Sequence, residues 1–138
     1  MAAYNKFNSF VADVNNKVFN MSSDSLKIAL TNTAPVATNT VFANITDLAT
    51  GGGYTAGGAV LTITSSTQTS GTYKLVSTDL VFTATSGFGP FRYAVLYDST
   101  AASSQLIAWW DYGSAVTLLA LETFTVDLDQ VNGVYTEV

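Results

Sequence analysis

The sequence predicts a mainly β fold, either an antiparallel β-sandwich or a jelly-roll-like barrel, with an N-terminal helix and one short helix. Segments that alternate apolar and polar residues recur about eight times, and this period of two is typical of strands with one buried face. They follow one another closely, and helical patterns occur only in the first third of the chain, which favours a sandwich or barrel over βαβ units. No linker or repeat divides the 138 residues, so we expect one domain over 1–138 with a helical arm over about 4–20.

The segment from Tyr4 to Asn20 is predicted to form the N-terminal helix. Its apolar residues recur at the spacing that places them on one helical face: Phe7, Phe10, Val11, Val14 and Val18. The segment is also rich in Asn, which is a poor helix former. The helix therefore needs a surface to dock on, either its own sheet or a neighbouring subunit, and docking on its own sheet is the commoner case.

A strand is predicted over Ser25 to Thr31 and a loop over Thr31 to Asn39. Asn39 is expected to cap a second, short helix that ends at Gly51. One face of that helix would carry four apolar residues: Phe42, Ile45, Leu48 and Ala49.

The stretch from Gly51 to Gly58 (GGGYTAGG) is glycine-rich, but it lacks the other features of a phosphate-binding loop. Such a loop ends in Lys followed by Ser or Thr and opens a helix, whereas this stretch leads into strand-like residues. The glycines instead predict a surface loop with positive φ angles, in which Tyr54 is the one large contact group.

From Ala59 onward almost every segment has the strand pattern. The strands predicted there, apart from the central one, are Ala59–Thr69, Tyr73–Ser77, Asp79–Ala84, Gln105–Asp111, Val116–Ala120 and Glu122–Asp129. Turns are predicted at Ser86 to Pro90 (SGFGP) and at Tyr112-Gly113. The tail from Gln130 to Val138 is expected to be short, edge-paired or mobile.

The strongest strand pattern is Phe91 to Asp98 (FRYAVLYD). Strict alternation would place four residues on one face: Phe91, Tyr93, Val95 and Tyr97. Both faces are largely apolar, which predicts a central strand that is buried on both sides or covered by the N-terminal helix.

The composition argues against several classes of function. The chain contains no Cys and no His, so thiolate chemistry and the commonest general base are absent. The net charge is −5 and the five cations are scattered, which argues against nucleic-acid binding. Only 11% of residues are charged, compared with ~25% in typical soluble domains, and such a surface suits a protein that packs against partners. No apolar run predicts a membrane span or a signal peptide.

Two pairs of acids are the remaining candidates for chemistry. Asp98 and Asp111 end two adjacent predicted strands, where they could form the two carboxylates of a glycoside hydrolase, although Asp also commonly ends strands. Asp127 and Asp129 are two residues apart on a strand, so they point the same way, either towards a metal ion or into solvent. We favour the structural interpretation of both pairs, and we expect no enzyme activity, no cofactor and no metal.

Arg92, the only arginine, lies on a strand with little other charge and needs a partner there. An ion pair within the chain, with Asp98, Asp111 or Asp79, is the favoured interpretation, and a subunit-interface contact is the alternative.

Trp109 and Trp110 point to opposite faces of their strand, so one is expected in the core and the other at a surface or interface. Trp and Tyr are enriched at protein interfaces as well as at sugar-binding sites, and the sequence does not separate the two uses. Six residues are the candidates for contact with partners: Phe7, Phe10, Tyr54, Phe88, Arg92 and Trp110.

Three stretches resemble small virion structural proteins of tailed bacteriophages, some of which are similar to capsid cement or decoration proteins. They are SLKIALTNTAPVATNTVFANITDLATGGGYTAGG, GPFRYAVLYDST and LIAWWDYGSAVTLLALETFTV, and the resemblance extends from about Phe7 to Leu128. It implies synthesis in the host cytoplasm, a place on the capsid surface of the virion, and a homo-oligomer, first of all a trimer, bound to the major capsid protein. The matched stretches carry no catalytic motif. A neck, tail or head-fibre component and a carbohydrate-binding module for host attachment are the alternatives.

Overall fold

The structure is a computed structural model that describes residues 2–138. Within that range the chain is 47% strand and 7% helix, which confirms the mainly β class. The helix α1 spans Ser9–Asn15, and one turn of 3-10 helix spans Phe42–Asn44. The strands, in chain order, are β1 (Tyr4–Lys6), β2 (Leu26–Thr31), β3 (Ala59–Val60), β4 (Ile63–Thr69), β5 (Thr72–Ser77), β6 (Leu80–Thr83), β7 (Gly87–Asp98), β8 (Leu106–Leu119), β9 (Thr123–Val126) and β10 (Tyr135–Glu137).

The strands form three antiparallel sheets. The largest has the order β1-β8-β7-β2-β3, and the smaller ones have the orders β10-β5-β4 and β6-β9. Buried residues from all three sheets belong to one apolar cluster, so one face of the large sheet packs against the two small sheets. This agrees with the predicted β-sandwich, whereas jelly-roll connectivity stays a prediction. The accessible surface of 6957 Å² is close to the ~6,900 Å² typical of a folded monomer of this mass, so the chain buries its core without a partner.

Strand β7 is the middle strand of the large sheet, and both of its faces are buried, as the sequence predicts. Leu96 belongs to the cluster shared with the small sheets, whereas Val95 and Tyr97 pack on the opposite face. The segment after β2 covers that opposite face, where Phe42 stacks on Tyr97 at 4.1 Å between ring centroids. Register shifts on either side of Phe91 break the alternation, so Phe91 packs with Leu96 and not with Val95, contrary to the prediction.

The predicted N-terminal helix is present, but it is shorter than the predicted range of residues 4–20. Tyr4–Lys6 forms β1, which pairs with β8, and α1 begins only at Ser9. The helix ends before Lys17, whose φ of 64° is incompatible with a continued right-handed helix. The Asn residues lower the helix propensity, and pairing with β8 provides hydrogen-bond partners for the first backbone groups. Val11 is 49% exposed, so the predicted apolar face is only partly buried.

The predicted second helix is reduced to the single 3-10 turn, and Asn39 does not cap it. The Asn39 Oδ1 accepts the Val36 amide at 2.9 Å instead. Asn44 closes the turn, because its Oδ1 accepts the amides of Thr40 and Val41 at 3.1 and 3.2 Å. Two successive Asn side chains therefore bond to nearby backbone, which stabilises turns in place of a helix.

Two predicted turns lie within strands, and one predicted strand is divided. Most of SGFGP belongs to β7, and Tyr112-Gly113 belongs to β8. Gly87, Gly89 and Gly113 have positive φ angles of 113°, 135° and 98°, so these glycines accommodate irregular strand geometry and do not reverse the chain. The strand predicted over 59–69 separates into β3 and β4 around Leu61.

The glycine-rich loop lies at the surface and all five of its glycines have positive φ angles, as predicted, but Tyr54, its one large contact group, packs into the chain itself. Tyr54 is 2% exposed, and its hydroxyl donates to the Asp47 carboxylate and accepts the Leu30 amide at 3.0 Å. Burial and this carboxylate raise the pKa of Tyr54. A Cβ added at Gly52 would lie 1.7 Å from the backbone oxygen of Gly87, so only glycine fits where this loop meets β7.

Candidate protein-docking site

Strands β7 and β8 form a long ribbon whose two halves differ. The inner half consists of Tyr93–Asp98 and Leu106–Trp110, and the outer half consists of Gly87–Arg92 and Asp111–Leu119. The register changes where the halves meet. Tyr93 pairs with Asp111 and Phe91 pairs with Val116, so a step of two residues along β7 corresponds to a step of five residues along β8. Residues 112–115 therefore form a wide bulge, and the positive φ of Gly113 permits it.

A bidentate ion pair lies at the start of the outer half. The Nε and Nη2 of Arg92 donate to the two carboxylate oxygens of Asp111 at 2.8 and 3.0 Å. The hydrogen bond from Arg92, with a second from the Gly113 amide, holds the pKa of Asp111 below its usual range. The predicted ion pair within the chain is thus confirmed, with Asp111 as the partner. Both side chains are 39% exposed, so the pair remains open to further contacts.

An aromatic pocket of about 130 Å³ lies beside this ion pair. Its aromatic walls are Phe91, Tyr93, Trp110, Tyr112 and Phe124. Phe124 lies edge-on to both Phe91 and Tyr112, at 4.9 and 5.2 Å between ring centroids, which fixes the walls relative to one another. Small-molecule sites usually enclose ~300–1,000 Å³, so this pocket suits a single side chain or ring of a larger partner.

At the end of β8, the turn Leu119–Glu122 presents two leucines to solvent. We call it the leucine turn. Leu119 is 66% exposed and Leu121 is 81% exposed. The Glu122 carboxylate accepts the Leu119 amide at 2.8 Å, and the Ala84 carbonyl accepts the Leu121 amide at 3.0 Å. Leu121 has a φ of 68°, a conformation that costs a bulky residue about 1–3 kcal/mol. The turn therefore holds exposed apolar side chains on a fixed, strained backbone, as a binding anchor would require.

Four of the six residues predicted to contact partners are in the core of the chain itself. Phe7, Phe10, Tyr54 and Phe88 are at most 8% exposed. Trp110 is also 8% exposed, but it lines the aromatic pocket. Arg92 and Trp110 are therefore the two of the six candidates that lie at the aromatic pocket.

Trp109 and Trp110 point to opposite faces of β8, as predicted. Trp109 packs on Phe7 at 4.6 Å between ring centroids, and Trp110 lies edge-on to Tyr4 at 5.8 Å. Neither indole is exposed, so Tyr112, with 57% exposure, is the large aromatic group that this surface presents.

The fold does not bring Asp98 and Asp111 together as a catalytic pair. Asp111 lies opposite Tyr93, five residues from Asp98 along β7, which corresponds to ~16 Å of extended strand. The two carboxyls of a glycoside hydrolase are ~5–9.5 Å apart. Asp129 instead accepts the amides of Val131 and Asn132, both at 2.8 Å, and closes a turn. Within residues 2–138 no group of three or more acidic, His or Cys side chains could hold a metal ion.

Sequence reasoning missed Tyr112, Leu119 and Leu121 as surface groups. The alternation of Val116, Leu118 and Ala120 predicts that these three residues share one face, which places Leu119 on the opposite face, and Leu121 lies beyond the predicted strand. The bulge at residues 112–115 and the positive φ of Leu121 have no sequence signature comparable to Asn-Gly, so the sequence does not predict the exposure of Tyr112 and Leu121.

Comparison with protein-family models, curated proteins and solved structures found no match to the chain. The class that the fold and site define is a mainly antiparallel β protein, consistent with a β-sandwich, that presents an exposed apolar surface on one ribbon. In residues 2–138 no helix is both long enough and apolar enough to cross a bilayer.

Proposed function

We propose that this chain is a virion structural protein of a tailed bacteriophage, a capsid cement or decoration protein that binds the lattice of the major capsid protein as a homo-oligomer, first of all a trimer. In this proposal the chain is synthesised in the host cytoplasm and functions on the capsid surface. It has no catalytic role and no cofactor. A protein that binds only the assembled lattice stabilises it by mass action, and it adds strength to the head without any chemistry.

The leucine turn is the observation that carries this proposal. Leu119 and Leu121 are exposed on a backbone that is held by hydrogen bonds and strained at Leu121. Strain of this kind persists where the surroundings impose it, and it concentrates at functional sites. A docking role accounts for both the exposure and the strain, because rigid apolar anchors lose little entropy when they bind.

The charge of the outer half also supports a protein partner. Between Tyr112 and Leu119 there is no charged residue, and Arg92 neutralises Asp111 at the start of the segment. The centres of protein interfaces are depleted in charge and enriched in Tyr, Trp and Arg, which are the residue types gathered around the aromatic pocket.

Particles that lack this protein test the proposal. Deletion of the gene from the virus that encodes it should yield heads that release DNA at a lower temperature than complete heads. Added wild-type protein should restore the release temperature. Heads of equal stability with and without the protein would contradict a cement role.

A carbohydrate-binding module is the second candidate, favoured by exposed Tyr112 next to the Arg92–Asp111 pair and a small pocket. Aromatic rings and charged groups are also how proteins bind sugars, so titration of host glycans against the isolated protein is the discriminating measurement. Saturable binding that Tyr112→Ser removes would favour the module. For a neck, tail or head-fibre component, a dozen copies or fewer per particle would be expected in place of hundreds.

A further inference from the structure

Asp98, at the end of β7, has a buried carboxyl that is only half satisfied. The side chain is fully buried. Its Oδ1 accepts the amides of Thr100 and Ala101 at 2.9 and 3.1 Å. Its Oδ2 is buried without an amide, hydroxyl or cation as a partner. A buried carboxylate oxygen without a donor is costly, so this oxygen requires an explanation.

The group that meets Asp98 is a second carboxyl, that of Asp24, in the loop between α1 and β2. The Asp24 Oδ2 accepts the Asn20 amide at 2.8 Å, so one oxygen of Asp24 closes its own loop. Next to the carboxyl pair, the Ser25 carbonyl accepts the amide and the hydroxyl of Ser99 at 3.0 and 2.7 Å. The pair therefore lies where the loop before β2 joins the turn after β7.

Asp24 is partly exposed, but the Asp98 oxygen that faces it is buried, so a proton or a cation is needed between the two carboxyls. Calcium takes six to eight oxygen ligands. Amides already occupy one oxygen of Asp24 and one of Asp98, which leaves a single oxygen from each carboxyl. A proton needs only these two oxygens, so the geometry favours a proton over a metal ion.

We propose that Asp24 and Asp98 share one proton below neutral pH, and that this proton fixes the loop before β2 to the turn after β7. Burial and the hydrogen bond with Asp24 raise the pKa of Asp98 to about 7, whereas the amides of Thr100 and Ala101 oppose the rise. Among the described residues, Asp24 is the one charged group that acts on Asp98. The residue opposite Asp98 on the neighbouring strand β2 is the uncharged Leu26. Above neutral pH the Asp98 carboxyl loses this proton, and repulsion between the two groups weakens the contact.

The carboxyl carbon of Asp98, followed by ¹³C NMR through a pH titration of the full chain, tests this directly. A midpoint near 7 is expected, compared with ~4 for an ordinary Asp. Asp24→Asn should move that midpoint down, because an amide on residue 24 donates to the Asp98 carboxylate. A midpoint near 4 in the wild-type chain would overturn the proposal.

Asp129 provides a matched control, because it also accepts the amides two and three residues further on but faces no second carboxyl. Between pH 5 and pH 8 the unfolding midpoint of the wild type should fall more than that of Asp98→Asn. Asp129→Asn should keep the wild-type pH dependence. Equal pH dependence in wild type and Asp98→Asn would contradict the shared proton. Stabilisation of the wild type by calcium that Asp98→Asn abolishes would show that a cation occupies the site instead.

Discussion

The two halves of the β7–β8 ribbon belong to the same pair of strands, yet they differ in how far they are buried. In the inner half Val95, Leu96, Ile107 and Ala108 have no exposed surface, because apolar clusters cover both faces of the sheet. In the outer half one cluster covers one face, and most of β8 beyond Asp111 is exposed.

The difference shows that strand pattern and burial are separable. Both halves are strand in the structure, but the segment after β2 covers only the inner half. The uncovered half keeps exposed apolar groups on a bulged strand and a strained turn, and in the proposed function these groups are what the partner meets. Substitutions in the two halves should therefore separate stability from binding.

The largest effect is expected where the glycine-rich loop anchors the start of the outer half. Gly52→Ala should destabilise the fold by more than about 4 kcal/mol, since its Cβ would overlap the Gly87 backbone oxygen. Gly71→Ala is the matched control, because Gly71 also has positive φ but no atom within 4 Å of its Cβ position. The control should cost only about 1 kcal/mol in urea unfolding. Similar losses for both variants would contradict the close packing at Gly52.

In the inner half, Leu96→Ala should cost about 2–5 kcal/mol, because it leaves a cavity in a fully buried layer. Leu119→Ala in the outer half removes the same atoms from a side chain that is 66% exposed. It should change the free energy of unfolding by less than about 0.5 kcal/mol. Comparable costs at the two positions would remove the distinction between the halves.

Raising the pH should weaken the inner end of the ribbon selectively. The folded-state pKa of Asp98 is about 7, above its value of 3.8 without the fold, so the folded chain binds the proton more tightly. The contribution of this proton to the free energy of unfolding is fully present below pH ~4. It is lost as the pH rises from ~4 to ~7, and the loss is at most about 4 kcal/mol. Hydrogen exchange at pH 8, corrected for intrinsic rates, should show lower protection around Ser25 and Thr100 and unchanged protection in β8. Uniform loss along the ribbon would contradict a local origin.

The smallest effect on stability is expected at the leucine turn. Leu121→Asn should leave the free energy of unfolding unchanged or raise it by up to about 1 kcal/mol, because Asn tolerates positive φ and the leucine is 81% exposed. The same variant should lose binding to the partner. A destabilised variant that still binds would show that Leu121 serves the fold and not the docking surface.

Sequence reasoning predicted the strand class, the double burial of β7 and the internal partner of Arg92, because periodicity and an isolated charge are local signals. It overestimated the length of the N-terminal helix, because Tyr4–Lys6 pairs with β8 as a strand and the helix spans only Ser9–Asn15. It named Tyr54 as a candidate for contact with partners, because the packing of Tyr54 inside the chain depends on contacts with Leu30 and Asp47 that no local pattern encodes. The exposure of Tyr112 and Leu121 likewise depends on a bulge and a turn set by tertiary structure.

The docking role of the outer half is tested most directly by binding to heads that lack the protein. Wild type, Arg92→Met and Leu121→Asn would be added to such heads, and the copies bound per particle counted by quantitative mass spectrometry. Hundreds of wild-type copies are expected, with strong loss for Leu121→Asn and a partial loss for Arg92→Met. Wild-type levels of both correctly folded variants on the heads, or no saturable binding of the wild type, would contradict this account.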